Sequence, residues 1–522
     1  MSKNKRTWLT NLVISMLGLV IFGLVVILAA KSKLGYPGID ELNSSAWTGS
    51  GPLELSPERA RFALLYSLVE DHSFQFSEGV ARLATPDLGY KNGRYVSLFA
   101  PGTSLVLIPG YLLGAYFGAS HLGATLMIGL FALGNAVLIN LLVVKLGSAR
   151  LAGYLAAFVF LVATPAFNYM GVIYQHHLSV FLLLLTMLLS LSKASFVNLG
   201  LIFLVFGLSA LIDIPNLFFL AAPVLFAMSK SITLAKSRAF LSLSIRPVVI
   251  WSSLLILLPV AVYLWINYQS YGNALQLSNT VTHIQALDEN GQPVAGRGAD
   301  SRAKSDIAAL ETRKRSALNF FKARHLVTGL SSFSISLDRG VLIFTPVIVL
   351  GFLGLIPLYR QKHKFVPVLL AVIIFNILLY SMRSDPYGGW AFGSRYLIPA
   401  YAVLAVALGV AISYFKKNVL FLAVFLLLGS YSIYVNTAGA LSTSANPPKV
   451  EILGLEALSG NRERFSVDRN LEYLVKGSSK SFVYQTFLKG HLTAWEYYRI
   501  VALTLNTIFV CLVVTTSARR IR

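Results

Sequence analysis

Glu58 and Arg61 stand three residues apart in LSPERARFALLYSLVEDHSF, where Ser56-Pro57 begins a helix and Ala63, Leu64, Leu65 and Leu68 continue it with helical spacing. A carboxylate in the first turn of a helix is favoured in its ionised form. The competing account is that Glu58 only caps the helix together with Ser56, and that Arg61 is an interfacial anchor. Asp87 lies in TPDLGYKNGRYVS, a Gly-, Tyr- and Asn-rich stretch that suits sugar or phosphate contacts and that turn chemistry explains equally well. His176 and His177, in NYMGVIYQHHLS, can bind a metal, hydrogen-bond a phosphate or assist proton transfer near neutral pH. Adjacent helical positions diverge by about 100°, so both do not ligate one ion, and an interfacial polar role competes. Asp213, close to the end of an apolar run, and Asp385 are further carboxylates. Arg395 stands near Trp390 and Tyr396, the composition of an aromatic-basic belt at a membrane boundary.

The elements that must position these residues are apolar. Of 522 residues, 56% are apolar and 13% charged, and the mean hydropathy is +0.67. Soluble domains carry about a quarter charged residues, so soluble enzymes and nucleic-acid-binding domains are excluded and an all-α polytopic membrane protein is expected. The single cysteine, Cys511, excludes an intrachain disulfide framework.

Spans are placed at 9–30, 122–144, 151–169, 178–192, 196–212, 215–229, 247–266, 340–358, 365–382, 396–415, 418–436 and 498–517. Charge supports the register. Connectors placed inside hold Lys145, Arg150, Lys193, Lys230, Arg246, Arg360, Lys416 and their neighbours without an Asp or Glu, as short cytoplasmic loops do. Both termini are then cytoplasmic in an inner membrane, and these loops account for much of the net charge of +22 without nucleic acid. The register requires 101–119 to lie in, or dip into, the outer interface. The polar outer segments are 31–121, 170–177, 267–339, 383–395 and 437–497. Of these, 283–325 reads as a solvated connector. The chain divides into 1–436, holding the outer loops 31–121 and 267–339, and 437–522, an outer segment with a last span.

The order of these motifs resembles the GT-C superfamily of polytopic glycosyltransferases, in particular bacterial members of the branch of protein O-mannosyltransferases and the lipid A aminoarabinose transferase. The likeness is carried by the first helix, the acid-x-x-Arg helix and the Tyr-Ser…Pro-Gly…Pro-x-Tyr segment. SISLDRGVLIFTPVIVLGFLGL (334–355) and PYGGWAFGSRYLIP (386–399) continue it, the latter similar to a "W-GG-x-x-G-x-R-Y-L-x-P" signature. Arg59 stands where a second acid often does, and His176-His177 replace a further acid in the second outer loop.

The resemblance implies an inverting transfer of a sugar from a polyprenyl-phosphate donor to an acceptor hydroxyl on a lipid, glycan or protein, at the extracytoplasmic face. In this scheme the catalytic residues are Glu58 as base, Asp87 and His177. Arg61, Arg395, Tyr95, Trp390 and His176 bind the donor phosphate and sugar. These residues are expected to converge on a cavity walled by 55–100, 170–180 and 383–397. No cofactor is expected, with a divalent metal as the less favoured alternative, since a hard cation wants more carboxylate oxygens than these motifs supply. Two other functions fit the same composition: a carrier or flippase of lipid-linked glycans, and a non-catalytic GT-C-like assembly subunit.

Overall fold

A computed structural model describes residues 3–236, 241–294, 321–383, 385, 387–460 and 462–518. The centre of the expected connector 283–325, the basic residue Arg238 and the final Arg519, Arg520 and Arg522 lie outside the described residues. The principal helices are α1 (Lys3–Ala29), α2 (Ser56–Val69), α3 (Gly102–Tyr116), α4 (Ser120–Lys145), α5 (Arg150–Val162), α6 (His176–Ser190), α7 (Phe196–Ile212) and α8 (Asn216–Ser229). They continue with α9 (Pro247–Tyr271), α10 (Pro346–Arg360), α11 (Val366–Ser381), α12 (Arg395–Phe415), α13 (Val419–Leu441), α14 (Lys449–Ser459), α15 (Ser466–Val475) and α16 (Ala494–Ala518).

Among the described residues, five helices (α4, α9, α12, α13 and α16) are long and apolar enough to cross a membrane. Shorter apolar helices fall at each of the other expected spans, and at 102–116. The chain is thus a multi-pass membrane protein. Helix α12 runs through its centre, 94% buried over its most apolar window, because its Ala-rich faces let neighbours come close. A Cβ added to Gly354 of α10 would sit 1.8 Å from the Ala407 carbonyl oxygen, so this contact admits only glycine.

Some apolar segments are shorter than the expected spans. Helix α5, 13 residues long, stops before Thr164-Pro165, and a separate turn follows at Ala166–Tyr169. Pro346 likewise divides Val341–Phe344 from α10. Carbonyls freed at such breaks cannot find water inside a bundle and need side-chain donors. They have them: Thr345 Oγ1 donates to the Ala163 carbonyl at 2.7 Å, and Asn436 Nδ2 to that of Phe344 at 2.6 Å.

One end of the bundle gathers the polar segments. Gly35, beyond α1, exchanges backbone hydrogen bonds with the α3–α4 turn (Gly35 N–H to Gly118 O, 2.7 Å; Ser120 N–H to Gly35 O, 3.1 Å). The start of α3, at Gly102, packs on the Leu211 carbonyl at the end of α7. Both ends of α3 therefore lie at the same end of the bundle, the placement that the charge register requires.

The fold departs from all-α at this end. Strands β1 (Gln75–Phe76), β2 (Leu88–Lys91), β3 (Arg94–Ser97) and β4 (Thr282–Ile284) form an antiparallel sheet in the order β1-β3-β2-β4. Asn92-Gly93, with φ of 52° and 76°, make the tight turn that the twist of a two-residue hairpin demands. Tyr90 and Tyr95 face one another across it.

Candidate functional site

Helix α2 starts at Ser56-Pro57, and its first turn carries Glu58 inward. The side chain is fully buried and does not cap the helix: Oε1 accepts the backbone N–H of Ile173 at 2.9 Å, and Oε2 has no partner. Burial pushes the Glu58 carboxyl up to about 8, against the opposing pull of the Ile173 N–H; Glu54 adds to the rise, and Lys31 and Arg59 oppose it. The position at a helix N-terminus favours an ionised carboxylate, but desolvation outweighs the helix field here.

One turn on, the Arg61 guanidinium donates to the Pro57 carbonyl at 2.7 Å and lies over two rings, Phe99 at 4.2 Å and Tyr174 at 5.2 Å. The other face of the assembly is Arg395, at the start of α12, 5.1 Å from the Tyr174 ring and 5.2 Å from that of Tyr396. Arg383 lies 4.5 Å over Tyr396, and Tyr380 stacks on Tyr396 at 4.6 Å. Asn376 holds this corner by donating to the Tyr396 carbonyl and accepting from the Ala400 N–H.

The result is an alternation of cations and rings, Arg61, Tyr174, Arg395, Tyr396 and Arg383, drawn from 55–100, 170–180 and 380–397. Among the described residues, no ion pair joins any of these arginines to a carboxylate. Arg395 spends one bond on the Gly388 carbonyl at 2.6 Å, while its Nε and Nη1 are buried without partners. The Tyr174 hydroxyl and His176 Nε2 are likewise unpartnered, the His176 ring stacking on Tyr174 at 5.6 Å. Four buried atoms on three side chains, two of them on Arg395 itself, thus present unused hydrogen-bond capacity in a cluster of three guanidiniums. That is the chemistry of a site for a phosphate-like anion. The rings and guanidiniums of this group stack on one another.

The expected site residues divide by their partners. Glu58, Arg61, His176 and Arg395 meet around the 170–177 loop. His177 does not join them: it is fully buried in the bundle, Nε2 faces the Ala166 carbonyl at 2.9 Å and Nδ1 the Asn135 amide at 3.3 Å. Its ring therefore ties α4 to the break after α5, and His176 is the histidine directed at the cluster. Asp87 accepts from Ser56 Oγ at 2.6 Å and has His283 Nε2 at 3.7 Å, which fastens the start of α2 to the sheet. The Tyr95 hydroxyl is used on the Gly291 carbonyl at 2.5 Å, and Trp390 Nε1 on Glu451 of α14 at 2.6 Å. Neither ring belongs to the arginine stack. Asp385 accepts the Gly388 and Gly389 N–H groups, the chemistry of a turn.

Other residues enter that sequence reasoning did not single out. Tyr174 is the ring shared by both arginines, and no local spacing marks it. Gln175 Nε2 donates to Asp213 Oδ2 at 3.2 Å, bringing that carboxylate to the edge of the cluster. Arg59 gives four bonds to the carbonyls of Leu53, Glu54, Leu83 and Thr85, at 2.8–3.2 Å. It stands where a second acid was looked for and serves as a clip between segments. Among the described residues no group of three or more His, Cys, Asp or Glu converges.

No protein-family model and no curated protein matches the sequence. Among solved structures, the chain is similar to ArnT from Cupriavidus metallidurans in the apo state, at 13% identity and a TM-score of 0.42, over 99% of this chain and 78% of that one. For ArnT from the same organism bound to undecaprenyl phosphate, the identity is 13% and the TM-score 0.40, over 96% and 77%. For the archaeal oligosaccharyltransferase AglB from Archaeoglobus fulgidus, in complex with an inhibitory peptide and a dolichol-phosphate, they are 13% and 0.41, over 96% and 56%.

Proposed function

We propose that this protein is an integral-membrane inverting glycosyltransferase that takes a sugar from a polyprenyl-phosphate donor and places it on an acceptor hydroxyl at the extracytoplasmic face of an inner membrane. The observation that carries the reading is the unpaired Arg61–Tyr174–Arg395 stack, one residue along the chain from the Ile173 N–H that holds Glu58. An anion subsite and a buried carboxyl with a free oxygen share one loop.

The acceptor hydroxyl gives its proton to Oε2 of Glu58 in its ionised form as the hydroxyl oxygen forms a bond to the anomeric carbon. The bond from that carbon to the phosphate oxygen breaks, its electron pair stays on the phosphate, and the configuration inverts. Polyprenyl phosphate leaves as a monoester whose added charge Arg61 and Arg395 stabilise, with the Tyr174 hydroxyl and His176 as hydrogen-bond partners. The guanidiniums around His176 make that site hostile to a cation, and Asp213 is the carboxylate available to a sugar hydroxyl. Asp87 supports the base by holding Ser56 at the start of α2. The acceptor, whether lipid, glycan or protein, is met by the surrounding loops.

The anion subsite is tested by binding undecaprenyl phosphate to full-length protein in nanodiscs. Arg395→Gln should weaken binding about 10- to 100-fold, the worth of one charge-assisted contact. Unchanged affinity would remove the phosphate from this site. Binding with no transfer from any lipid-linked sugar would favour a carrier or an assembly subunit.

A further inference from the structure

Lys31, just beyond α1, is a buried cation that the proposed chemistry leaves unused. It is 1% exposed, and its ammonium donates to Asn168 Oδ1 at 2.7 Å, Ser444 Oγ at 2.8 Å and the Gly439 carbonyl at 3.1 Å. Its backbone N–H donates to the Gly171 carbonyl at 2.9 Å. Side chain and backbone thus grip both ends of 168–171, immediately before the Ile173 N–H that binds Glu58 and the Tyr174 ring between the arginines. Burying an ammonium is costly unless a matching charge lies nearby. The structure supplies acid neighbours on one segment, Glu54 and Glu58.

We propose that Lys31 is the positioning residue of the Glu58 carboxyl: it fastens the 168–174 loop that hydrogen-bonds Glu58 and supplies the positive charge against which that carboxylate forms. The inference rests on reading Glu58 as the base. The charged and titratable groups facing Glu58 are Glu54 and Arg59 from its own segment, Lys31 from the end of α1 and Tyr174 from the loop. Those facing Lys31 are Glu54, Glu58 and Lys480. Glu54 is itself held by the last polar segment, through Thr443 Oγ1 at 2.8 Å, the Ser444 N–H and Lys480 Nζ at 3.6 Å. Lys31 therefore joins three segments directly, the exit of α1, the loop at 168–171 and the 439–444 turn, and that turn also holds Glu54 just ahead of α2. With burial lowering the Lys31 ammonium to about 8 and raising Glu58 to about 8, both groups are poised where loss of one charge changes the other.

The test is an infrared pH titration of the full-length protein, following the protonated-carboxyl band that is lost in Glu58→Gln. Lys31→Gln keeps donors for Asn168 and Ser444 but drops the charge, and it should move the Glu58 midpoint upward by about one pH unit or more, a tenfold or larger change in the ionised fraction at neutral pH. Lys31→Arg should leave the midpoint within about half a unit, because the charge is kept. Glu54→Gln should move it downward, and this variant decides if Lys31→Gln does not fold. An unmoved midpoint in Lys31→Gln, or in Glu54→Gln where that variant decides, would make the network a scaffold only and overturn the proposal. Failure of the base reading shows separately, as undiminished sugar transfer by Glu58→Gln whatever the midpoints do.

Discussion

Arg61 and Arg395 lie against one ring, that of Tyr174, with their guanidiniums 5.2 and 5.1 Å from its centroid. The ring face attracts both cations but does not neutralise them, and Arg383 adds a third positive charge beyond Tyr396. Such a cluster is destabilised by self-repulsion until an anion enters.

An anionic lipid should therefore stabilise the protein. With polyprenyl phosphate at about 100 times its dissociation constant the gain is about 2.7 kcal/mol, read as a rise in Tm. At the same lipid concentration Arg395→Gln, binding about 10- to 100-fold more weakly, should cut that rise by about half or more. A rise of equal size in the variant would place the anion elsewhere.

Glu58 gives a pH signature in stability. Its folded pKa is raised, from an ordinary carboxyl value to about 8. The stabilising contribution of the protonated form is therefore complete below the unfolded value, and it is lost as pH climbs toward the folded one. Glu58→Gln, which cannot ionise, should raise Tm relative to the wild type at pH 9 and by much less at pH 5. Melting curves at the two pH values check this, and an equal offset at both would mean that Glu58 does not titrate with folding.

The two histidines should separate cleanly. His177→Ala removes the buried partners of Asn135 and the Ala166 carbonyl, and should cost about 2–4 kcal/mol of stability through the groups left unpaired and the cavity. His176→Ala should cost less stability and weaken lipid phosphate binding, because its free nitrogen faces the arginines. Thermal melts and binding on both variants decide the assignment. The reverse pattern would return the functional role to His177.

Much of this end of the molecule was legible in the sequence, for a physical reason in each case. Hydropathy placed the apolar helices because the bilayer imposes length and composition together, and Pro57 and Glu58 marked the start of α2. Asn92-Gly93 signals a hairpin, yet the sheet was missed because β1 has two residues and β4 comes from another loop. Tyr95 and Trp390 looked like sugar platforms by type. Their polar atoms go to Gly291 and Glu451, distant partners that no local spacing encodes. The choice between His176 and His177 hung on a 100° turn of helix, which the break after α5 sets. Lys31 stands at a span end, and nothing in the local sequence signals that it is fastened to residues more than a hundred positions away.

Arg59 and Asp87 test the scaffold around the base. Arg59→Ala leaves four carbonyls of 53–54 and 83–85 without a donor and should destabilise the protein by about 2–4 kcal/mol, with transfer per folded molecule reduced only modestly. Asp87→Asn keeps an acceptor for Ser56 Oγ and should lower turnover partially, well short of the effect at Glu58. Loss of transfer in Asp87→Asn as deep as that in Glu58→Gln would move the base to Asp87.

The most direct measurement is sugar transfer by purified Glu58→Gln from cell-derived lipid-linked sugars, with polyprenyl phosphate binding measured on the same sample. Removing a general base costs about 10²- to 10⁴-fold in rate. Transfer should fall at least a hundredfold with lipid binding preserved, because the arginines and not the carboxyl hold the phosphate. Undiminished transfer by Glu58→Gln would contradict the reading of Glu58 as the base.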